Sequence, residues 1–227
     1  SDKCYENTET QKGYTESDPM GGYDPYSNSK GCAELVASAY RNSFFPSTEH
    51  DRHGVSVATA RAGHVIGGGD WSADRLIPDI MNSVLKNTPV QIRNPQATRP
   101  WQFVLNPLSG YLTLAEQQWN KGSNFSEAWN FGPEEEEVKP VSWIVENISS
   151  LWGGKIDWNI DTSNHPHEAR YLQLDCSKAK AQLGWSSKLP LPSGLEWTVS
   201  WYKNYQHNED MRDLTLEEIS RYQKLQS

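Results

Sequence analysis

The chain has 227 residues, of which 36% are hydrophobic and ten are tryptophan, enough for one large or two small domains with a sizeable core and too many for a disordered chain. Its formal net charge of -8 leaves no general basic footprint, which argues against nucleic acid as the main partner and makes any anionic ligand depend on locally placed arginines. Cys4, Cys32 and Cys176 lack metal-ligand spacing and build no disulfide framework, so a reduced, cytoplasmic setting without a metal is expected, and no apolar run approaches the roughly 20 residues of a membrane span.

In chain order, Asp24 suits a helix N-cap and Pro25 the first helical position. Tyr26 and Lys30 then fall one turn apart on the same face, where the fixed positive charge favours phenolate and makes Tyr26 an acid/base candidate. The alternative is a surface helix with an accidental Tyr-x-x-x-Lys pair. Cys32, Leu35, Val36, Ala39 and Tyr40 continue at helical spacing, so one face of this helix is expected to be buried. Val55 to Arg61 suits a buried parallel strand that reaches an active-site edge at Arg61. Gly67, Gly68 and Gly69 come too late, and outside a strand-turn-helix setting, to be a pyrophosphate loop.

Asp74 is expected to cap a helix lined by Ile77, Ile80, Met81, Val84 and Leu85, with Arg75 and Leu76 at its mouth. Val90 to Pro95 alternates as a strand; Leu108, Tyr111, Leu112, Ala115 and Trp119 mark an amphipathic helix; Ala128 to Phe131 reads as the next sheet strand. Glu134 to Glu137 reads as a solvated loop. A helix through Val141, Ile144, Val145, Ile148 and Leu151 stops at Gly153, and Ile156, Trp158 and Ile160 alternate as a strand, as do Leu172 and Leu174. Ser193-x-x-Glu196 and Thr215-x-x-Glu218 read as capping boxes, and Trp185, Trp197 and Trp201 as core rather than a sugar platform. His165 and His167 could suggest a metal, but no third ligand of recognisable spacing joins them.

Ser1-Asp2-Lys3 followed by Tyr26-x-x-x-Lys30 resembles the active site of the extended short-chain dehydrogenases/reductases. Within that superfamily, Ser1 to Asn7, Asp18 to Gly31 and Trp129-Asn130-Phe131-Gly132-Pro133 resemble the CDP-glucose 4,6-dehydratases, and the likeness runs in the family's order through almost the whole chain. The resemblance implies an α/β fold, the C-terminal part of a doubly wound Rossmann-like parallel sheet with a smaller α/β sugar-nucleotide-binding lobe. Residues 1–69 and 104–133 would form the catalytic part, and 70–103 and 134–227 the lobe. It also implies a hydro-lyase that converts CDP-glucose to CDP-4-keto-6-deoxyglucose with internally recycled NAD, in a homodimer or homotetramer paired through the Tyr26 helix.

By the same resemblance Ser1, Tyr26 and Lys30 serve the oxidation at C4, Asp2 is the acid for the departing hydroxyl and Lys3 the candidate base at C5. Related nucleotide-sugar dehydratases carry glutamate at the Lys3 position. Ala62 and His64 belong to the segment that crosses from the nicotinamide to the substrate, with His64 standing where the family has asparagine. Arg75, Leu76, Arg93, Arg99 and His167 face the nucleotide, Arg99 on the diphosphate, and Phe103 stands where histidine is usual. The glycine turn and ribose hook of the dinucleotide fold are expected in an N-terminal half absent from this sequence. NAD is therefore implied by the resemblance and not by a motif, and a polypeptide beginning at Ser1 is expected to lack NAD affinity and activity. Two rivals stay open: an epimerase or reductase of the same superfamily, which has no use for Asp2-Lys3, and a truncated non-catalytic domain.

Overall fold

The structure, a computed structural model, describes residues 1–10, 12–163 and 171–226. They form two compact units, one of Ser1–Gly63, Asn106–Pro133 and Tyr171–Ser187, the other of His64–Leu105, Glu134–Arg170 and Lys188–Ser227. Set beside the division expected from the sequence, residues 64–69, 104 and 105 fall in the second unit and 171–187 in the first. The latter segment is drawn there by a parallel bridge between Tyr14 and Leu174 and by burial of Cys176 and Trp185 in the first unit's core.

The first unit begins with a 3-10 turn, Asp2–Cys4, followed by α1 (Pro25–Phe44), whose Asp24 cap accepts the Ser27 N–H at 3.0 Å. After the short α2 (His50–His53), β1 (Thr59–Arg61) pairs in parallel with β6 (Ala128–Asn130), placing Arg61 opposite Asn130. A long helix, α4 (Leu105–Lys121), covers this pair. It lies close because Gly110 has no side chain: a Cβ there would stand 2.3 Å from the Phe131 ring.

The apolar face of α1, expected to pair with a second copy, is not covered within the single chain. Leu35, Val36 and Tyr40 are all more than half exposed, while Gly31 and Glu34 turn inward. The reason is polar: Glu34 is the partner of a buried arginine, Arg61, so the face that packs is not the hydrophobic one. On α4, likewise, Leu112 and Trp119 face outward and Leu114 inward.

In the second unit β2 (Val65–Ile66) pairs in parallel with β5 (Gln102–Phe103), β3 (Val90–Ile92) in parallel with β8 (Trp158–Ile160), and β4 (Thr98–Pro100) antiparallel with β7 (Val138–Pro140). Ile77, Ile80 and Met81 of α3 (Leu76–Lys86) share a core with Ile144 and Ile148 of α5 (Val141–Trp152) and Leu191, Leu195 and Tyr202 of α6 (Leu191–Gln206). The C-terminal α7 (Met211–Gln226) adds Tyr222 to a smaller cluster with Phe103 and Trp197. Gly68 lies flat on Trp201, where a Cβ would stand 2.0 Å from the ring, so the glycine run serves packing. Trp185, Trp197 and Trp201 are all buried, as read from the sequence.

The caps differ from expectation. Asp74 does not cap α3; it adopts a left-handed conformation, φ 61°, and pairs with Arg93, leaving Arg75 at the N-cap without a side-chain bond. Ser193 and Thr215 lie inside their helices. The first N–H of α6, that of Leu191, is met by the Glu137 carboxylate at 2.5 Å, and Asp210 accepts the N–H groups of Arg212 and Asp213 at the start of α7. The acidic run is thus only partly a solvated loop: Glu137 is half-buried, and burial raises its carboxyl pKa. Leu172 and Leu174 form no strand beyond the single bridge.

Candidate functional site

In the first unit the opening turn is held by its own side chains and by the end of β1. Ser1 Oγ accepts the Lys3 N–H at 3.2 Å, and the Asp2 N–H donates to the Ala62 carbonyl at 3.1 Å. Asp2 is only 3% exposed, while Lys3 is half-buried. Its carboxylate occupies the space above Gly63: a Cβ on that glycine would stand 1.8 Å from Asp2 Oδ2. Gly63 is therefore part of the site, although sequence reasoning singled out only its neighbours Ala62 and His64. The signal was its place in a run of small residues suited to close backbone approach.

The same turn is fastened to α1. The Cys4 carbonyl accepts the Gly21 N–H at 2.9 Å, and Gly31 of α1 packs so closely that a Cβ would meet the Cys4 carbonyl at 3.2 Å and Gly21 N at 3.1 Å. Cys4 is no nucleophile, because burial pushes its thiol pKa up to about 11. Tyr26 is exposed and Lys30 half-buried, with the ammonium 5.0 Å from the tyrosine ring centroid. The expected pair is thus formed. Among the described residues no carboxylate pairs with Lys30, so its charge is directed at Tyr26 and at whatever binds beside it. A phenol and an ammonium on one accessible face suit the hydroxyls of a ribose, so these residues fit the nicotinamide end of NAD.

The second unit holds the residues expected at the nucleotide. His64 has a left-handed backbone, φ 48°, rare for a residue with a side chain, and its ring meets Trp101 edge-on at 5.4 Å. Arg75 is exposed and Leu76 half-buried at the start of α3. Arg93 Nη2 donates to Asp74 Oδ1 at 2.7 Å, which brings it to the residue preceding Arg75. Arg99 differs from both: it is 2% exposed, and its Nη1 donates to the Thr98 carbonyl at 2.9 Å. His167 lies outside the described residues. Among the described residues, no group of three His, Cys, Asp or Glu side chains is placed to hold a metal ion, and no helix is long and apolar enough to cross a membrane.

The model of the family described as GDP-mannose 4,6 dehydratase matches residues 1–198. The chain belongs to this family. It is 56% identical over 222 residues to the CDP-glucose 4,6-dehydratase of Salmonella typhimurium, an alignment that covers 98% of this chain and 62% of that protein. The chain thus spans less than two thirds of the length of this curated relative. Among solved structures, the dTDP-glucose 4,6-dehydratase of Bacillus anthracis, in complex with NAD, superimposes with a TM-score of 0.72 at 22% identity over 91% of this chain and 61% of that one. A UDP-glucuronic acid 4-epimerase of Bacillus cereus, also with NAD, gives 0.74 at 19% identity over 90% and 60%. The fold is therefore the α/β Rossmann-like fold of these enzymes, in part. Dehydratase and epimerase share it, so the fold does not choose between them.

Proposed function

We propose that this chain is the part of an NAD-dependent CDP-glucose 4,6-dehydratase that carries the proton-transfer groups and the nucleotide-sugar contacts. The observation that carries the dehydratase reading over a plain epimerase or reductase is Asp2, a buried carboxyl group fixed directly after Ser1 by Ala62 and Gly63. An epimerase has no leaving hydroxyl to protonate. The 56% identity to the Salmonella enzyme supports CDP-glucose as the sugar nucleotide.

Loss of water across C5 and C6 is difficult until C4 is a ketone, because the carbonyl acidifies the C5 proton. When bound, NAD would supply the acceptor for the C4 hydride and the donor that returns it at C6; Tyr26, Lys30 and Ala62 would hold it, and the resemblance adds His64 to that set. Tyr26 takes the proton of the C4 hydroxyl, Ser1 holds that oxygen, and Lys30 stands beside the Tyr26 ring. Asp2 gives its proton to the C6 hydroxyl as it leaves. Lys3 takes the C5 proton and gives it back to C5 as hydride returns to C6, so adjacent residues hold opposite proton-transfer duties. Arg99, with Arg75, Arg93, Leu76, His64 and His167, holds the CDP moiety, the guanidinium being suited to two phosphate oxygens at once.

A homodimer or homotetramer belongs to the same reading, built on the uncovered apolar faces of α1 and α4, where Leu35, Val36, Tyr40, Leu112 and Trp119 are exposed. So does a cytoplasmic setting, where Cys4, Cys32 and Cys176 keep their free thiols. The test is a hybrid in which this chain replaces the segment it matches in the Salmonella enzyme, incubated with CDP-glucose and NAD. Mass spectrometry should show a product lighter by one water. A product of unchanged mass would make the chain an epimerase component, and no turnover beside an active parent would support a non-catalytic domain.

A further inference from the structure

A buried polar network that this mechanism leaves unused lies in the first unit. Arg61, at the end of β1, is 3% exposed. Its Nη1 donates to the Tyr5 hydroxyl at 2.7 Å and to the Glu16 carbonyl at 3.3 Å, and its Nη2 donates to Glu34 Oε2 at 2.7 Å. Glu34 also accepts the Thr59 hydroxyl at 2.7 Å. The Tyr5 hydroxyl donates to Asn130 Oδ1 at 2.7 Å, and Asn130 Nδ2 donates onward to the carbonyls of Tyr14 and Asp175 at 2.8 and 3.2 Å. The Tyr5 ring stacks on Tyr14, with centroids 5.3 Å apart, and the Arg61 guanidinium lies 5.1 Å from its centre.

The charges in this network are fixed. Burial alone would lower the Arg61 pKa, but Glu34 and Tyr5 together hold it above its ordinary value. Burial alone would raise the Glu34 carboxyl, but hydrogen bonds from Arg61 and Thr59 outweigh it and keep that pKa below the usual carboxylate range. The Tyr5 phenol is pushed up by burial and remains a donor. A buried ion pair of this kind adds little net stability, since desolvation consumes much of its Coulomb energy, but it is demanding in geometry.

What the network joins is specific. Tyr5 stands two residues after Lys3, and Glu34 stands one helical turn beyond Lys30 on the same face of α1. We infer that Arg61 is a positioning residue: by bridging Glu34 and Tyr5 it sets the placement of the Tyr26 and Lys30 helix against the Ser1 to Lys3 turn. The inference rests on the dehydratase reading for what is being positioned. The two sets of proton-transfer groups come from segments more than twenty residues apart in sequence, and each must meet one sugar ring within a fraction of an ångström. The Arg61 fork can hold two partners at once through separate nitrogens, whereas a lysine at this position has a single nitrogen for both.

The test uses Tyr5→Phe, which removes one hydroxyl and keeps the ring on Tyr14, with Arg61→Lys and Glu34→Gln. In the active hybrid each should lower kcat on CDP-glucose about tenfold or more with KM within about threefold, and Tyr5→Phe should add little to Arg61→Lys. In the chain itself, the amides of Glu6 and Gly21, which bond to Pro19 and Cys4, should exchange with solvent about tenfold faster in Tyr5→Phe, while those of Ile144 and Ile148 in the second unit stay as they were. Unchanged kcat, strictly additive losses, or unchanged exchange at Glu6 and Gly21 would overturn the assignment. If Arg61→Lys does not fold, Tyr5→Phe decides. Should the parent hybrid prove inactive, the dehydratase reading falls by itself and the exchange rates still decide the brace.

Discussion

The Asp2 carboxylate rests on the bare Cα of Gly63: a Cβ on that glycine would fall 1.8 Å from Oδ2 and 2.0 Å from Cγ. No side-chain rotation at position 63 avoids this contact, because the clash begins at the first carbon. Gly63→Ala should therefore displace Asp2 and behave like Asp2→Asn. In the hybrid both should slow water loss by about 100-fold or more while C4 oxidation continues, trapping a 4-ketoglucose nucleotide. Rapid-quench analysis checks this, and full-speed water loss in Asp2→Asn would remove Asp2 from the role of acid. The double variant should lose little beyond either single change, since both remove the same acid.

Nucleotide recognition is tested at Arg99. Its replacement by Ala should weaken CDP-sugar binding by about 1.5 to 3 kcal/mol if it makes a charge-assisted bond to phosphate, as measured by calorimetry on the hybrid. Because Arg99 is buried and bonded to the Thr98 carbonyl, the same change should also lower the thermal midpoint, which the surface variants Arg75→Ala and Arg93→Ala should leave nearly unchanged. An unaltered affinity in Arg99→Ala would move the phosphate contact to Arg75 or Arg93.

The thiols report on the fold without reference to catalysis. Cys32 is exposed on α1, whereas Cys4 and Cys176 are buried, with thiol pKa values pushed by burial up to about 11 and about 12. A thiol reagent at neutral pH should modify Cys32 alone in the folded chain and all three cysteines in denaturant. Mass spectrometry of the labelled peptides reads the result, and rapid labelling of Cys176 would contradict the placement of 171–187 in the first unit's core.

Much of the fold was legible in the sequence where one segment carries its own signal. The Asp24 cap, the α3 and α5 stripes and the β8 alternation all depend on local spacing. Most failures share a cause, which is that the deciding partner lies far along the chain. Glu137, 54 residues before Leu191, takes the role read for Ser193. The cap of α7 is different: Asp210 is a local residue, and the reading at Thr215 falls one turn too late. The face of α1 that packs within the chain was not legible, because hydrophobic spacing cannot register an inward Glu34 whose partner is 27 residues away. The pairing of Tyr26 and Lys30 on one helix face was legible from their four-residue spacing. The seat of Asp2 at Gly63 was not, because an absent side chain matters only once its neighbour in space is known.

A last prediction concerns α7, where Glu218 is buried one turn before Tyr222 on the helix that supplies this tyrosine to the Phe103 and Trp197 cluster. Burial raises its carboxyl pKa to about 7; Arg221 opposes the shift and Glu217 adds to it. The sign follows from the two states. The unfolded chain releases this proton near the ordinary glutamate value of about 4.3, while the folded chain keeps it up to about 7, so the folded form binds more protons between these limits. The stability due to the neutral carboxyl is fully present below the lower limit and is lost as pH rises through the upper one. Between pH of about 5 and 8 the chain should lose roughly 2 kcal/mol of stability from this group. Glu218→Gln, which keeps the neutral shape, should flatten that slope and raise the thermal midpoint at pH of about 8 by a few degrees. Thermal unfolding followed across this pH range in both chains measures it. A wild-type midpoint that is flat, or a slope that survives in Glu218→Gln, would show that Glu218 is ionised where it lies.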